Sequence, residues 1–187
     1  MKKICFFLAG CFLMVACNNK PADTTTAATD SSAAASTAPK ETPQSEFADP
    51  KYTEMGKAMM AQLSSGDIDA WGNNFADKAK FRWSSGDSLD GKAAIINYWK
   101  DRRGKVIDSL SFTMDVWLPI KVNRPQAGPD VPGVWLLSWN MVNVKYKNGK
   151  KLAFWIHSDL HFNAEDKVDI YIQYIDRAPI NAALGSK

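Results

Sequence analysis

Both histidines of this 187-residue chain lie in one run, AFWIHSDLHF, at positions 153–162. His157, Asp159 and His161 alternate there with Ser158, Leu160 and Phe162. Imidazole titrates near neutral pH and a neighbouring carboxylate favours its cation, so His157 and Asp159 have the chemistry of an acid–base pair. The same residue types ligate metals. On a strand, however, next-but-one residues lie ~6.6 Å apart and His157 and His161 ~13 Å apart, too far for both to meet one ion at about 2.1 Å. A third ligand would have to come from elsewhere, and the three cysteines, Cys5, Cys11 and Cys17, all sit near the N-terminus. Neither a metal nor a cofactor is expected. Histidines hydrogen-bonded within a pocket wall are the plainer expectation.

A polar row becomes a site only if a neighbouring strand completes it. Residues 134–146 and 152–162 alternate with the period of two expected of strands. Asn148-Gly149 between them is the signal of a two-residue type I′ hairpin. That turn would set Lys147 opposite Lys150, hence Asn140 opposite His157 and Ser138 opposite Asp159. Opposed residues share a sheet face. The expected binding cluster is therefore Asp159, His157, Asn140 and Ser138, bordered by Leu136, Val142, Ala153 and Trp155. The other face would carry Trp135, Leu137, Trp139, Met141, Phe154, Ile156 and Leu160. We expect the polar-cluster face to be concave and to hold a pocket, with the aromatic face covered by a second subunit. A slip in register would give the inverse, with the aromatic face on the helices and the cluster in water.

The elements that must position this row are readable upstream. Residues 50–65 place Tyr52, Met55, Met59, Met60 and Leu63 at helical spacing. Asp67 can cap a second helix through Ile68, Trp71 and Phe75. KFRWS reads as a short strand and SGDSLDG as a loop. A third helix opens at Asp90 or Gly91 and ends at Gly104, after Arg102 and Arg103, cations suited to a helix C-terminus. The period then changes to two. Residues 106–122 form a long strand, in which Pro119 suggests a bulge or an edge. NRPQAGPDVPG is a loop, NAED is a turn, and residues 168–175 are the last strand. The order is α+β, with helices packed on one face of an antiparallel sheet.

This order, with SGDIDAWGNNFAD, DGKAAIINYW and DKVDIYIQYIDRAPI, resembles the NTF2-like superfamily in its SnoaL-like branch, over about residues 50–185. The resemblance implies a cone: a curved sheet wrapped round a helix, with a pocket at the open end. It also implies which chemistry is missing. The position of the ketosteroid isomerase general base holds Trp83, and that of the oxyanion tyrosine holds Met59. Only a pocket aspartate is kept, as Asp159. Isomerase chemistry of that kind is excluded, and Trp83 and Met59 either line an apolar pocket or fill the core. The leading expectation is non-catalytic binding of a small hydrophobic molecule or a partner domain. The rival is a SnoaL-like enzyme of cyclase, isomerase or dehydratase type using His157 and Asp159. A third class is a structural dimerisation module of the envelope.

The N-terminus carries an address. Lys2 and Lys3 precede an apolar run over residues 4–16, too short to span a bilayer. The run ends MVAC, followed by NNK, and resembles a bacterial lipoprotein signal. Residues 1–16 are expected to be removed and Cys17 lipidated. Cys11 ends a neater box, LAGC, but cleavage there would leave FLMVA exposed; an ordinary secretory signal is the remaining alternative. Asn18 after the cysteine implies, by the same resemblance, sorting to the outer membrane. Residues 17–49, rich in Thr, Ala, Ser and Pro, are too polar to offset their ordering entropy and read as a disordered tether. The folded domain is expected at 50–187. Without residues 1–16 the chain has 21 basic residues, from 23, against 20 acids. That balance argues against nucleic acid as a partner. The mature domain would hold no disulfide.

Overall fold

The computed structural model describes residues 41–124 and 131–185; the segment expected to be a signal peptide, and Cys17, lie outside them. Helix α1, Lys51–Ser65, buries Tyr52, Gly56, Met59, Met60 and Leu63, one apolar stripe at the expected spacing. Gly66 ends it with φ of 84°, its N–H bonded to the Gln62 and Leu63 carbonyls. Asp67 caps α2, Ile68–Gly72, by accepting from the Ala70 N–H. This helix is shorter than expected. Phe75 is the first residue of strand β2, Phe75–Trp83, which turns back through β3, Ser88–Asp90, where a loop was expected. Helix α3, Lys92–Lys105, runs on past Gly104.

Four long strands follow: β4 (Ile107–Val122), β5 (Gly133–Tyr146), β6 (Lys151–Phe162) and β7 (Val168–Tyr174). A short helix, α4, Ala178–Leu184, closes the described chain. The first strand, β1, Ser45–Phe47, lies inside the segment assigned to the tether and pairs with the end of β4. Its polar surroundings gave no periodic signal, but the free edge of β4 supplies the partner. The seven strands form one sheet in the order β1-β4-β5-β6-β7-β2-β3. All pairs are antiparallel except β2–β7, which is parallel, a departure from the all-antiparallel expectation.

The hairpin between β5 and β6 decides which side chains share a face. Lys145 pairs with Lys151, so Asn140 lies opposite Ile156 and Trp139 opposite His157. The expected register is off by one residue. A type I′ turn needs positive φ at both central residues, and among the described non-glycine residues only Met114 and Asp166 have it. The chain instead makes a three-residue loop, Lys147, Asn148 and Gly149, with Gly149 alone left-handed at φ of 85°. Tyr146 N–H donates to the Lys150 carbonyl at 2.8 Å and Gly149 N–H to the Tyr146 carbonyl at 2.9 Å. One extra loop residue swaps the faces of one strand relative to the other.

The even-numbered residues of β5 and β6 therefore share the face that packs on the helices. Leu136, Ser138, Asn140, Val142, Val144, Ile156, Ser158 and Leu160 are all buried there. Strand β4 keeps step only because a bulge between Thr113 and Val116 adds one residue, with Met114 at φ of 54°. Without it Phe112 and Trp117 could not both face the helices. The register of β4 shifts here and between Ile107 and Ser109, not at Pro119. Gly56 lets α1 approach this face: a Cβ there would sit 2.6 Å from both Leu136 Cδ2 and Trp117 Cζ3. Tyr171 stacks on Phe81 at 4.5 Å and 10°, joining β7 to β2 inside the core.

Candidate functional site

The opposite face of the sheet is covered by no described helix, and it holds the polar row. Three cross-strand rows run over it: Trp139–His157–Tyr174, Leu137–Asp159–Ile172 and Trp135–His161–Ile170. His157 thus stands between two aromatic rings, stacked on Trp139 at 4.5 Å and lying 5.3 Å from Tyr174. Its Nδ1 is 3.0 Å from the Ser138 carbonyl, which can only accept, so that nitrogen carries hydrogen. Its Nε2 is 2.8 Å from Asp159 Oδ1. The contact is close but not a directed hydrogen bond, because Oδ1 is buried with no aligned donor.

Leu137 and Ile172 flank Asp159, and its side chain is only 18% exposed. Burial raises the Asp159 carboxyl above the ordinary aspartate range, and the opposing attraction of His157 offsets this only in part. Asp159 forms the polar wall of a shallow depression with Ile120, Trp135, Leu137 and Tyr174. His161 is held differently. Its Nδ1 lies 2.6 Å from Asp169 Oδ1 and its Nε2 3.1 Å from the Pro132 carbonyl. Both nitrogens are engaged, so its role is to tie β6 to β7 and to the loop before β5. Gly133 makes room for it: φ there is 128°, and a Cβ would meet His161 Nε2 at 2.7 Å.

Ser138 and Asn140 are on the helix-covered face, wholly buried. The expected cluster is thus split by the thickness of the sheet, with His157 and Asp159 on one side and Ser138 and Asn140 on the other. Ser138 Oγ reaches the Ser158 carbonyl only at 3.5 Å, and neither amide atom of Asn140 has a partner among the described residues. Trp155, expected at the pocket border, is 48% exposed on the uncovered face. Met59 and Trp83 are both buried in the main core. Trp83 donates from Nε1 to Gln173 Oε1 at 3.1 Å and carries the Arg177 guanidinium on its ring at 4.9 Å.

A cavity does exist on the helix-covered face, away from the polar row. It has a volume of about 70 Å³ and is walled by Phe81, Trp99, Val144, Tyr146, Ile156 and Ile180, among others. A groove of about 450 Å³ adjoins it beneath α4, where Trp83 is one wall. Trp99, Arg102, Gln173, Ile175 and Ile180 line both spaces. Ile180 of α4 therefore stands at their junction. The one carboxylate on these walls is Asp87, which Arg177 engages. Burial pushes the Tyr171 hydroxyl up to about 12, and burial raises Tyr146 as well, with Arg102 opposing. The walls can hold an apolar body and offer it hydrogen-bond donors.

No family profile matches the sequence, and no curated protein matches it significantly. Solved structures do. An NTF2-like protein of unknown function from Burkholderia pseudomallei superposes with a TM-score of 0.56 at 10% identity, covering 72% of this chain and 97% of that one. The chain has the NTF2-like fold. A protein from Shewanella putrefaciens, provisionally assigned as a SnoaL-like polyketide cyclase, gives 0.54 at 14% identity, covering 74% and 98%. One from Bacillus subtilis, provisionally assigned as an isomerase, gives 0.57 at 17%, covering 73% and 94%. At such identities the likeness speaks for the fold alone.

Residue types could not have found Arg102, Gln173 or Tyr146 as cavity walls. Arg102 reads as a helix-end cation, and Gln173 and Tyr146 as alternate residues of strands. Tyr174 was discoverable, since it follows from the β6–β7 pairing once the register is known.

Proposed function

We propose that this protein is an exported, lipid-anchored NTF2-like domain that binds a small, largely apolar molecule without transforming it. One observation carries this reading. The cavity is walled mainly by apolar side chains, and the one carboxylate on the adjoining groove under α4 is engaged by arginine, whereas the His157–Asp159 pair lies on the other side of the sheet. An apolar concavity with a few polar groups is the usual form of a ligand site. Acid–base chemistry on a cavity ligand needs a base within hydrogen-bond reach, and no free carboxylate or imidazole wall is present among the described residues.

The uncovered face supports a second element of the proposal, a homodimer. Trp139, Trp155, Tyr174 and Val116 are 37–55% exposed there, an apolar surface of the sort that marks an interface. The lipid anchor rests on the sequence at Cys17. The deciding experiment is displacement of an uncharged fluorescent apolar probe, N-phenyl-1-naphthylamine, by a panel of apolar molecules. Saturable displacement is expected in the wild type and its loss in Val144→Phe, which projects a ring into the cavity. Turnover of any panel member would overturn the non-catalytic part.

A further inference from the structure

The polar groups on the cavity walls are unequal in kind. Trp71 is 1% exposed and on the wall, and its indole N–H has no acceptor. The Trp99 N–H, on the wall of both cavity and groove, is also buried without one. Arg102 is the remaining cation on both walls. Its guanidinium lies 5.7 Å from the Tyr98 ring, and no described carboxylate comes within ion-pair distance of it. Two side-chain acceptors on these walls are already used. Gln173 Oε1 takes the Trp83 N–H, and the carboxylate of Asp87 takes Arg177. Tyr171 spends its proton on Ser158 Oγ at 3.2 Å.

Donors without acceptors in an apolar space call for a ligand that brings acceptors. Buried donors left unpaired are unfavourable, and a guanidinium pairs best with a planar oxyanion. We propose that the ligand is an amphipathic carboxylate, its chain in the cavity among Val144, Ile156 and Ile180 and its head on Arg102. This inference rests on the apolar-binding reading above and narrows it to one chemical class. A chain longer than the 70 Å³ cavity extends into the groove past Ile180. Arg102 suits the last turn of α3 as well, which explains its presence there but not the unpaired indoles of Trp71 and Trp99 on the same walls.

The test is calorimetric titration of the full-length chain with octanoate and with octan-1-ol at pH 8, both below their aggregation limits. The two share a chain and differ in charge. Octanoate should bind at least about tenfold more tightly, the scale of a charge-assisted hydrogen bond. Arg102→Gln should bring octanoate to the level of the alcohol while leaving the alcohol within about twofold, and Arg102→Lys should recover part of the difference. Circular dichroism checks the fold of each variant; were Arg102→Gln unfolded, the wild-type comparison and Arg102→Lys would decide. Equal affinities in the wild type would overturn the carboxylate and leave apolar binding standing. Binding of neither compound would overturn both. A preference that survives Arg102→Gln would remove Arg102 from the site.

Discussion

Asp159 lies 2.8 Å from His157, its next-but-one neighbour on β6, and yet burial outweighs that partner and raises its carboxyl. The consequence for stability has a definite sign. A carboxyl whose folded-state pKa is raised is least favourable when ionised, so the fold loses stability as pH rises from the unfolded value, about 3.9, through the folded one. Asp159→Asn, which removes the buried charge, should raise the melting temperature at pH 7, and the gain should vanish near pH 3. Thermal melts of both proteins across that range check it. A variant less stable than wild type at pH 7 would mean that the His157 attraction outweighs burial.

Two glycines separate backbone strain from crowding. Gly149 has φ of 85° and open space around its Cβ position, so Gly149→Ala should lose only about 1 kcal/mol, the cost of a left-handed alanine. Gly133 adds the His161 ring at 2.7 Å to a φ of 128°. Gly133→Ala should lose about 2–3 kcal/mol, measured by urea unfolding.

The uncovered face predicts an assembly. Trp139→Glu places a charge beside His157 in the middle of that apolar surface. Sedimentation should find a dimer for the wild type and a folded monomer for the variant. A wild type that stays monomeric at high concentration would end the dimer proposal.

The anchor is tested by metabolic labelling with an acyl-chain analogue. Cys17→Ser should abolish labelling and release the protein from the membrane fraction, whereas Cys11→Ser should not. The reverse pattern would move the cleavage site to Cys11.

Periodicity makes much of the fold legible in the sequence. The stripe Tyr52–Met59–Leu63 gave α1, and alternation gave β5, β6 and β7 to within a residue or so at each end. Met59 and Trp83, expected either to line a pocket or to fill the core, are both buried. The site was less legible because it hung on one turn. Asn-Gly favours a two-residue loop, but glycine alone also suits a three-residue one, and the two differ by the single step that separates sheet faces. Here Asn148 keeps a negative φ and uses its side chain instead, accepting from Lys150 N–H at 3.0 Å and donating to the Ala183 carbonyl at 2.9 Å. That second bond reaches α4, a contact that sequence spacing does not encode. Helix α4 itself is seven residues long with proline in its first turn, too short for periodicity to register.

The small strand β1 gives the tether a mechanical fuse. It is stapled to the outer edge of the sheet by three paired residues, by the Glu46–Lys121 ion pair at 3.4 Å and by the Asn123 and Arg124 N–H groups on the Gln44 carbonyl. Under the proposed anchoring, a pull from the membrane reaches these bonds before it reaches α1. They would part first and release residues 41–49, roughly 30 Å of extended chain at about 3.4 Å per residue. The cavity, bounded by elements beyond Pro50, would be spared the load.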